Sequence, residues 1–226
     1  MYVILAKFLK IIMGGYSVRG LDNITDSGSS VFVCNHAGAY GPLAMWLFFP
    51  LRFRPWVIYR VMTAGLCRRQ LEKDLFGNCH AFLKPLCTIA AFFIQPACLW
   101  IMRKIKAIPV YRRKGEIFTT FRLSVDTLWE GCNIAIFPEN DETLYQRDLK
   151  NFYTGFVHLA RKYYGEKGRI LSFYPVYIDK RRKSITVGKP EAYNPEAAFK
   201  NERGRIADTI MEAIRQCADD REAILK

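Results

Sequence analysis

Val31-Phe32-Val33-Cys34-Asn35-His36-Ala37-Gly38-Ala39-Tyr40-Gly41-Pro42 carries a short apolar run into a small-residue turn and on toward a helix. Residues 31–34 are partly β-branched and follow the turn-rich Asp26-Ser27-Gly28-Ser29-Ser30, so they read as a buried strand. Gly38 and Gly41 allow tight turning, and Pro42 suits the first position of a helix. His36 would then stand at the carboxyl end of a strand and near a helix N-terminus, where open α/β sheets bind ligands. Its imidazole is the only side chain whose unperturbed pKa lets it accept a proton near neutrality.

The rest of the chain alternates in the same manner. An N-terminal helix and the strand at 31–34 precede a helix from 43, a basic and apolar helical middle at about 60–104, a strand at 107–111 and a helix at 116–130. A strand at 133–137, a helix at 149–164, strands at 170–178 and 184–188 and a C-terminal helix from about 203 complete the pattern. This order predicts a single α/β domain over 16–226, a mixed central sheet flanked by helices, with residues 1–15 as a membrane-interfacial helix. Ile117, Phe121, Leu128 and Trp129 mark a buried helical stripe, with Gly131 placed as a C-cap. Asp179 to Lys183 reads as a hairpin turn, because apolar strands flank it.

The 226 residues are 50% hydrophobic, enough for a sizeable core and too apolar for disorder. A formal charge of +13 calls for an anionic partner. The apolar runs Pro42–Tyr59 and Leu86–Met102 are edged by Arg52, Arg54, Arg60, Arg68, Arg69, Lys84, Arg103, Lys104 and Lys106. Apolar belts rimmed with positive charge suit an anionic lipid surface, whereas a nucleic-acid binder would interleave cations with exposed aromatics. Gln95 and Pro96 interrupt the second run at its middle, so it reads as a core helix or a half-inserted monotopic helix, with a full membrane span as the lesser alternative. Met1 to Met13, apolar except for Lys7 and Lys10, lacks the features of a signal peptide and reads as an interfacial anchor. Seven cysteines without paired spacing suit a reducing compartment. Cys34 reads as a buried apolar residue, and Cys79-His80 with Cys87 lacks the spacing of a metal site. The expectation is a monotopic protein on the cytoplasmic face of a membrane, with no metal and no nucleic-acid partner.

Asn35-His36 followed by four residues to position 41 resembles the first motif of the glycerolipid acyltransferase family, the lysophosphatidic-acid and glycerol-phosphate acyltransferases. That motif is His, four residues, Asp; here the Asp position is Gly41. Ala107-Ile108-Pro109-Val110-Tyr111-Arg112 resembles the second block, Ile136-Phe137-Pro138-Glu139 the third, and Tyr174-Pro175-Val176-Tyr177-Ile178 the fourth, all in the family order. Gly155 in Phe152-Tyr153-Thr154-Gly155-Phe156 resembles the helix after the third block, so the likeness spans residues 16 to 190.

The resemblance implies transfer of a fatty acyl group from an acyl-CoA or acyl-carrier-protein thioester to a lysophospholipid or related lipid hydroxyl, as in phospholipid biosynthesis. Such chemistry needs a base for the hydroxyl proton and donors for the oxyanion, with no bound cofactor. The resemblance makes His36 the base and Arg112 a ligand for the acceptor phosphate, a role suited to guanidinium. With Gly41 unable to orient the imidazole, a carboxylate from 139–142 is expected to do so, Glu139 first. Asn35, Gly41, Pro138 and Asn140 are expected to line the substrate. Where the family has Gly-Thr-Arg, this chain reads Asn140-Asp141-Glu142, which leaves a different alcohol or amine lipid open as the acceptor. A catalytically inactive relative acting as a membrane lipid-binding protein is the alternative.

Overall fold

A computed structural model describes residues 2–25, 29–36, 40–77, 80–111, 115–138 and 154–223. In chain order the elements are α1 (Tyr2–Met13), β1 (Ser17–Arg19), β2 (Val31–Cys34), α2 (Tyr40–Phe48), β3 (Phe53–Ile58), α3 (Tyr59–Met62), α4 (Ala64–Phe76) and α5 (Lys84–Lys104). They continue with β4 (Ile108–Val110), α6 (Ile117–Trp129), β5 (Asn133–Ile136), α7 (His158–Lys167), β6 (Ser172–Asp179), β7 (Ser184–Val187), β8 (Glu191–Ala192) and α8 (Phe199–Ala223). This is the mixed α/β arrangement of central sheet and flanking helices that the sequence predicts. The backbone divides into two compact units, residues 1–53 with 124–226 and residues 54–123.

The first unit is built on strands in the order β1-β7-β6-β2-β5. β2 lies parallel to β5 on one side (Val33↔Ile136) and to β6 on the other (Cys34↔Val176). Helix-covered on both faces, β2 is apolar at every position and all four of its residues are buried, which is why its sequence does not alternate. β7 returns antiparallel to β6, and β1 pairs parallel to β7. One face of this sheet carries Phe32, Cys34, Ala135, Tyr174 and Val176, packed with Met45 and Leu47 of α2 and Met13 of α1. Residues of opposite pleat point the other way: Phe173 meets Phe156 edge-on at 5.3 Å. Beside them Leu159, Tyr163, Ile206 and Ile210 of α7 and α8 are buried.

Glu202 anchors the start of α8. Nearly fully buried, it accepts the Asn194 amide at 2.7 Å and two bonds from the Arg205 guanidinium, at 2.8 Å each. Arg205 also reaches Glu191 and the Ala192 carbonyl, joining β8 to α8. These bonds to the charged form hold the Glu202 carboxyl below the usual glutamate range, the Arg205 contact being the largest cause.

In the second unit β3 and β4 run parallel (Trp56↔Ile108, Ile58↔Val110). Cys67, Leu71 and Ala91 form a small core between α4 and α5, and Gln95 donates to the Ala64 carbonyl at 2.9 Å. α5 is long and apolar enough to cross a membrane, yet only 6% of its apolar window is buried. The core-helix reading of Leu86–Met102 is therefore overturned: Leu86, Ile89, Phe92 and Phe93 are all exposed. Gln95 points to α4, which removes the polar interruption from the apolar face.

Four other expectations are corrected. The run 42–59 is not one apolar segment but α2 followed by β3, broken where Pro50 and Arg52 interrupt it. α2 starts at Tyr40, so Pro42 sits in its first turn, where the missing N–H costs no helix bond. α8 begins at Phe199, its first turn closed by the Asn201 (2.9 Å) and Glu202 (3.0 Å) amides donating to the Ala198 carbonyl. Trp129 is exposed rather than part of the buried stripe, its ring covered by Lys167 at 4.5 Å and Arg169 at 5.2 Å. Gly131 does take the left-handed backbone (φ 73°) of a helix stop.

Candidate active site

His36 follows β2 by two residues and stands at the carboxyl edge of the first unit's sheet, as its sequence position predicts. Asn35 fixes it there. The Asn35 carboxamide donates to the Ile178 carbonyl (3.1 Å) and accepts the Ile178 amide (2.7 Å), while its backbone N–H donates to the Val176 carbonyl (3.3 Å). The side chain thus extends the β2–β6 ladder by one rung and sets His36 level with the end of β6. The His36 ring is partly buried and lies edge-on to Phe137, 5.7 Å between centroids. Phe137, the residue after β5, packs on the α2 side of the sheet, and Pro138 is buried beside it. The third sequence block is thereby brought to the first.

Gly41 is buried in the first turn of α2, and its Cα presses on the His36 backbone. A Cβ built there would lie 2.2 Å from the His36 carbonyl oxygen and 3.2 Å from that of Asn35. No side chain fits this approach without moving backbone, so position 41 has no room for an acid in this turn.

Helix α2, which follows His36 in the chain, carries aromatic and cationic contacts. Tyr40, the first residue of α2, lies 6.3 Å from Tyr16, and Tyr16 stacks on Phe48 at 4.7 Å. The Lys180 ammonium lies 4.9 Å over the Tyr40 ring, and Lys10 lies 5.7 Å over Phe48. Lys180 opens the turn between β6 and β7, the hairpin the sequence predicts at 179–183. That run is legible only as a turn; its place at the same end of the sheet as His36 follows from the β2–β6 register.

Glu139 and Asn140, with Asp141 and Glu142, lie outside the described residues, as does Arg112 of the second block. The second block's strand is β4, in the other unit, where Thr120 donates to the Pro109 carbonyl (2.8 Å) and accepts the Tyr111 amide (3.2 Å). Of the remaining histidines, His80 is exposed, and His158 packs on Phe199 at 4.6 Å. Burial, then Arg203 and Arg161, push the His158 pKa down.

Residues 83–179 match the model of the family described as Acyltransferase. The match includes the second, third and fourth blocks, and His36 lies before it. Among solved structures, the chain is similar to the crystal structure of the 1-acyl-sn-glycerophosphate (LPA) acyltransferase PlsC from Thermotoga maritima. That likeness has a TM-score of 0.55 at 14% identity and covers 92% of this chain and 77% of that one. No curated protein matches the sequence.

Proposed function

We propose, from the glycerolipid acyltransferase family that the Acyltransferase match and the PlsC-like fold support, that this chain transfers a fatty acyl group to a lysophospholipid or related lipid hydroxyl. The observation that carries this reading is His36, held by Asn35 at the sheet edge against Phe137 of the third block. In the proposed step the neutral imidazole takes the acceptor's hydroxyl proton as its oxygen attacks the thioester carbonyl. The tetrahedral oxyanion then collapses, the C–S bond breaks, and the imidazolium returns the proton to the departing thiolate. The donor is an acyl-CoA or acyl-carrier-protein thioester. Glu139, one residue beyond Pro138, is the proposed positioning carboxylate, with Arg112, Pro138 and Asn140 toward the substrate. Asn35 and Gly41 contribute through backbone placement.

Attachment is proposed through exposed apolar surface rather than a full span. In α1, Phe8, Ile11 and Ile12 are 58%, 79% and 63% exposed beside Lys7 and Lys10; in α5, Phe92 and Phe93 are 58% and 72% exposed. Large apolar side chains in water with cations alongside suit a monotopic protein on an anionic membrane, on its cytoplasmic face. One observation favours the second reading, an inactive lipid-binding relative: the close approach at Gly41 excludes the family's acid from its usual position. The two are separated by incubating purified protein with acyl-CoA or acyl-carrier-protein thioesters and a panel of lyso-lipids, with products read by mass spectrometry. Turnover of any lyso-lipid supports the enzyme; vesicle binding without turnover across the panel supports the binding protein.

A further inference from the structure

We infer that Cys67 of α4 and Cys98 of α5 are the two ends of a reversible disulfide, formed when the chain meets a hydroperoxide oxidant. Cys67 is fully buried in the small core between the two helices, with Leu71 and Ala91, and Cys98 packs against that core from α5. The two thiols are in hydrogen-bond contact, so the sulfurs that a bridge must join lie side by side. Gln95 holds the helices in this register: its carboxamide donates to the Ala64 carbonyl at 2.9 Å, about one helical turn from each cysteine along its own helix. Within the second unit the other described cysteine is Cys87, on the same helix as Cys98 and roughly 16 Å away along its axis. Nothing in the sequence spacing marks Cys67 and Cys98 as a pair; the packing of α4 on α5 does.

The two thiols differ in a way that orders the chemistry. Cys98 is half-buried and open to a small oxidant, whereas Cys67 has no exposed surface. Burial pushes the Cys67 thiol above its ordinary range, an effect that the Cys98 hydrogen bond offsets in part, so Cys67 stays protonated while Cys98 reacts. The Cys98 thiolate attacks one oxygen of the peroxide; the O–O bond breaks, a sulfenic acid forms and water leaves. The Cys67 sulfur then attacks the Cys98 sulfur; the S–S bond forms, the S–O bond breaks, and the departing hydroxide takes the Cys67 proton as water. Two thiols and one peroxide thus give one disulfide and two waters, the two electrons going to the peroxide. Among the described residues, three buried side chains make up the core that joins α4 to α5, a contact thin enough to open locally. The disulfide closes it covalently while the opposite face of α5, with Phe92 and Phe93, stays exposed. In a reducing compartment such a bond is transient, which suits sensing.

The test uses the purified whole chain, fully reduced and then treated with limiting hydrogen peroxide. Thiols are counted by alkylation after denaturation, and a non-reduced digest is mapped by mass spectrometry. The count is expected to fall by two from the seven cysteines of the chain, with one peptide pair joining Cys67 to Cys98, and dithiothreitol should restore it. Cys98→Ser should keep all its thiols under the same treatment, and Cys67→Ser should accumulate a Cys98 sulfenic acid that dimedone traps. Wild type that keeps all seven thiols overturns the proposal, as does a dimedone adduct on wild-type Cys98 with no cross-link. A disulfide from either cysteine to a different partner, or equal thiol loss in Cys98→Ser, overturns it as well.

Discussion

Restoring the family's acid by Gly41→Asp is expected to damage this protein. The cost begins at the first atom added, so Gly41→Ala measures it without charge. The new Cβ would lie 2.2 Å from the His36 carbonyl oxygen, over an ångström short of ordinary contact, and the obstacle is backbone. Overpacking typically costs about 1–3 kcal/mol. A buried position facing an immovable carbonyl belongs near the top of that range, about 2–3 kcal/mol. For a chain of this size the melting temperature should fall by roughly 4–12 °C. Asp adds a carboxylate to a buried site and should lose at least as much as Ala. Any relaxation displaces the His36 carbonyl, so transfer should fall in both variants. The assay is thermal unfolding of wild type, Ala and Asp forms, paired with lyso-lipid acylation. A Gly41→Asp protein melting with wild type and gaining turnover would refute the close approach and show that the turn accepts an acid.

Glu202→Gln should destabilise the protein by about 1–3 kcal/mol through weakened bonds to Asn194 and Arg205, read by denaturant titration. Because its pKa is depressed, Glu202 contributes stability that is present above the unfolded carboxyl value and lost as pH falls through the lower folded value. Wild type should thus lose an increment below the usual glutamate range that the Gln form lacks; parallel acid-stability curves would show the bond to be inert. Phe92→Glu/Phe93→Glu on α5 should cut binding to anionic vesicles at least tenfold, since burying each phenyl ring is worth about 1.5–3 kcal/mol. High salt should weaken wild-type binding without abolishing it; complete release by salt would mean that the apolar face stays in water.

The strands bounded by turn residues were legible. The strands expected at 31–34, 133–137 and 184–188 lie between Gly, Ser, Asn or charged clusters, and they form at Val31–Cys34, Asn133–Ile136 and Ser184–Val187. β3 was not legible, because Arg54 and Pro55 break its alternation within a longer apolar stretch. Trp129 lies on the helical stripe by spacing, but periodicity cannot tell a core neighbour from the cations of Lys167 and Arg169. At the site, His36 and its sheet edge were readable from the strand-turn-helix order. Two features at this end of the sheet were not. The absence of an acid at Gly41 is visible in the sequence, whereas its cause is a tertiary distance between two backbones. The charge of residues 180–183 is equally plain, yet its place at the same end of the sheet as His36 depends on a strand register joining residues far apart in the chain.

The central claim is that His36 is the base for acyl transfer, and His36→Ala tests it most directly. Turnover of the best lyso-lipid acceptor, measured as acylated product per enzyme against wild type, should fall on the order of 10²–10⁴-fold. Melting temperature and vesicle binding should hold, since the ring is only partly buried and lies at the sheet edge. Full turnover by a folded His36→Ala protein would contradict the assignment.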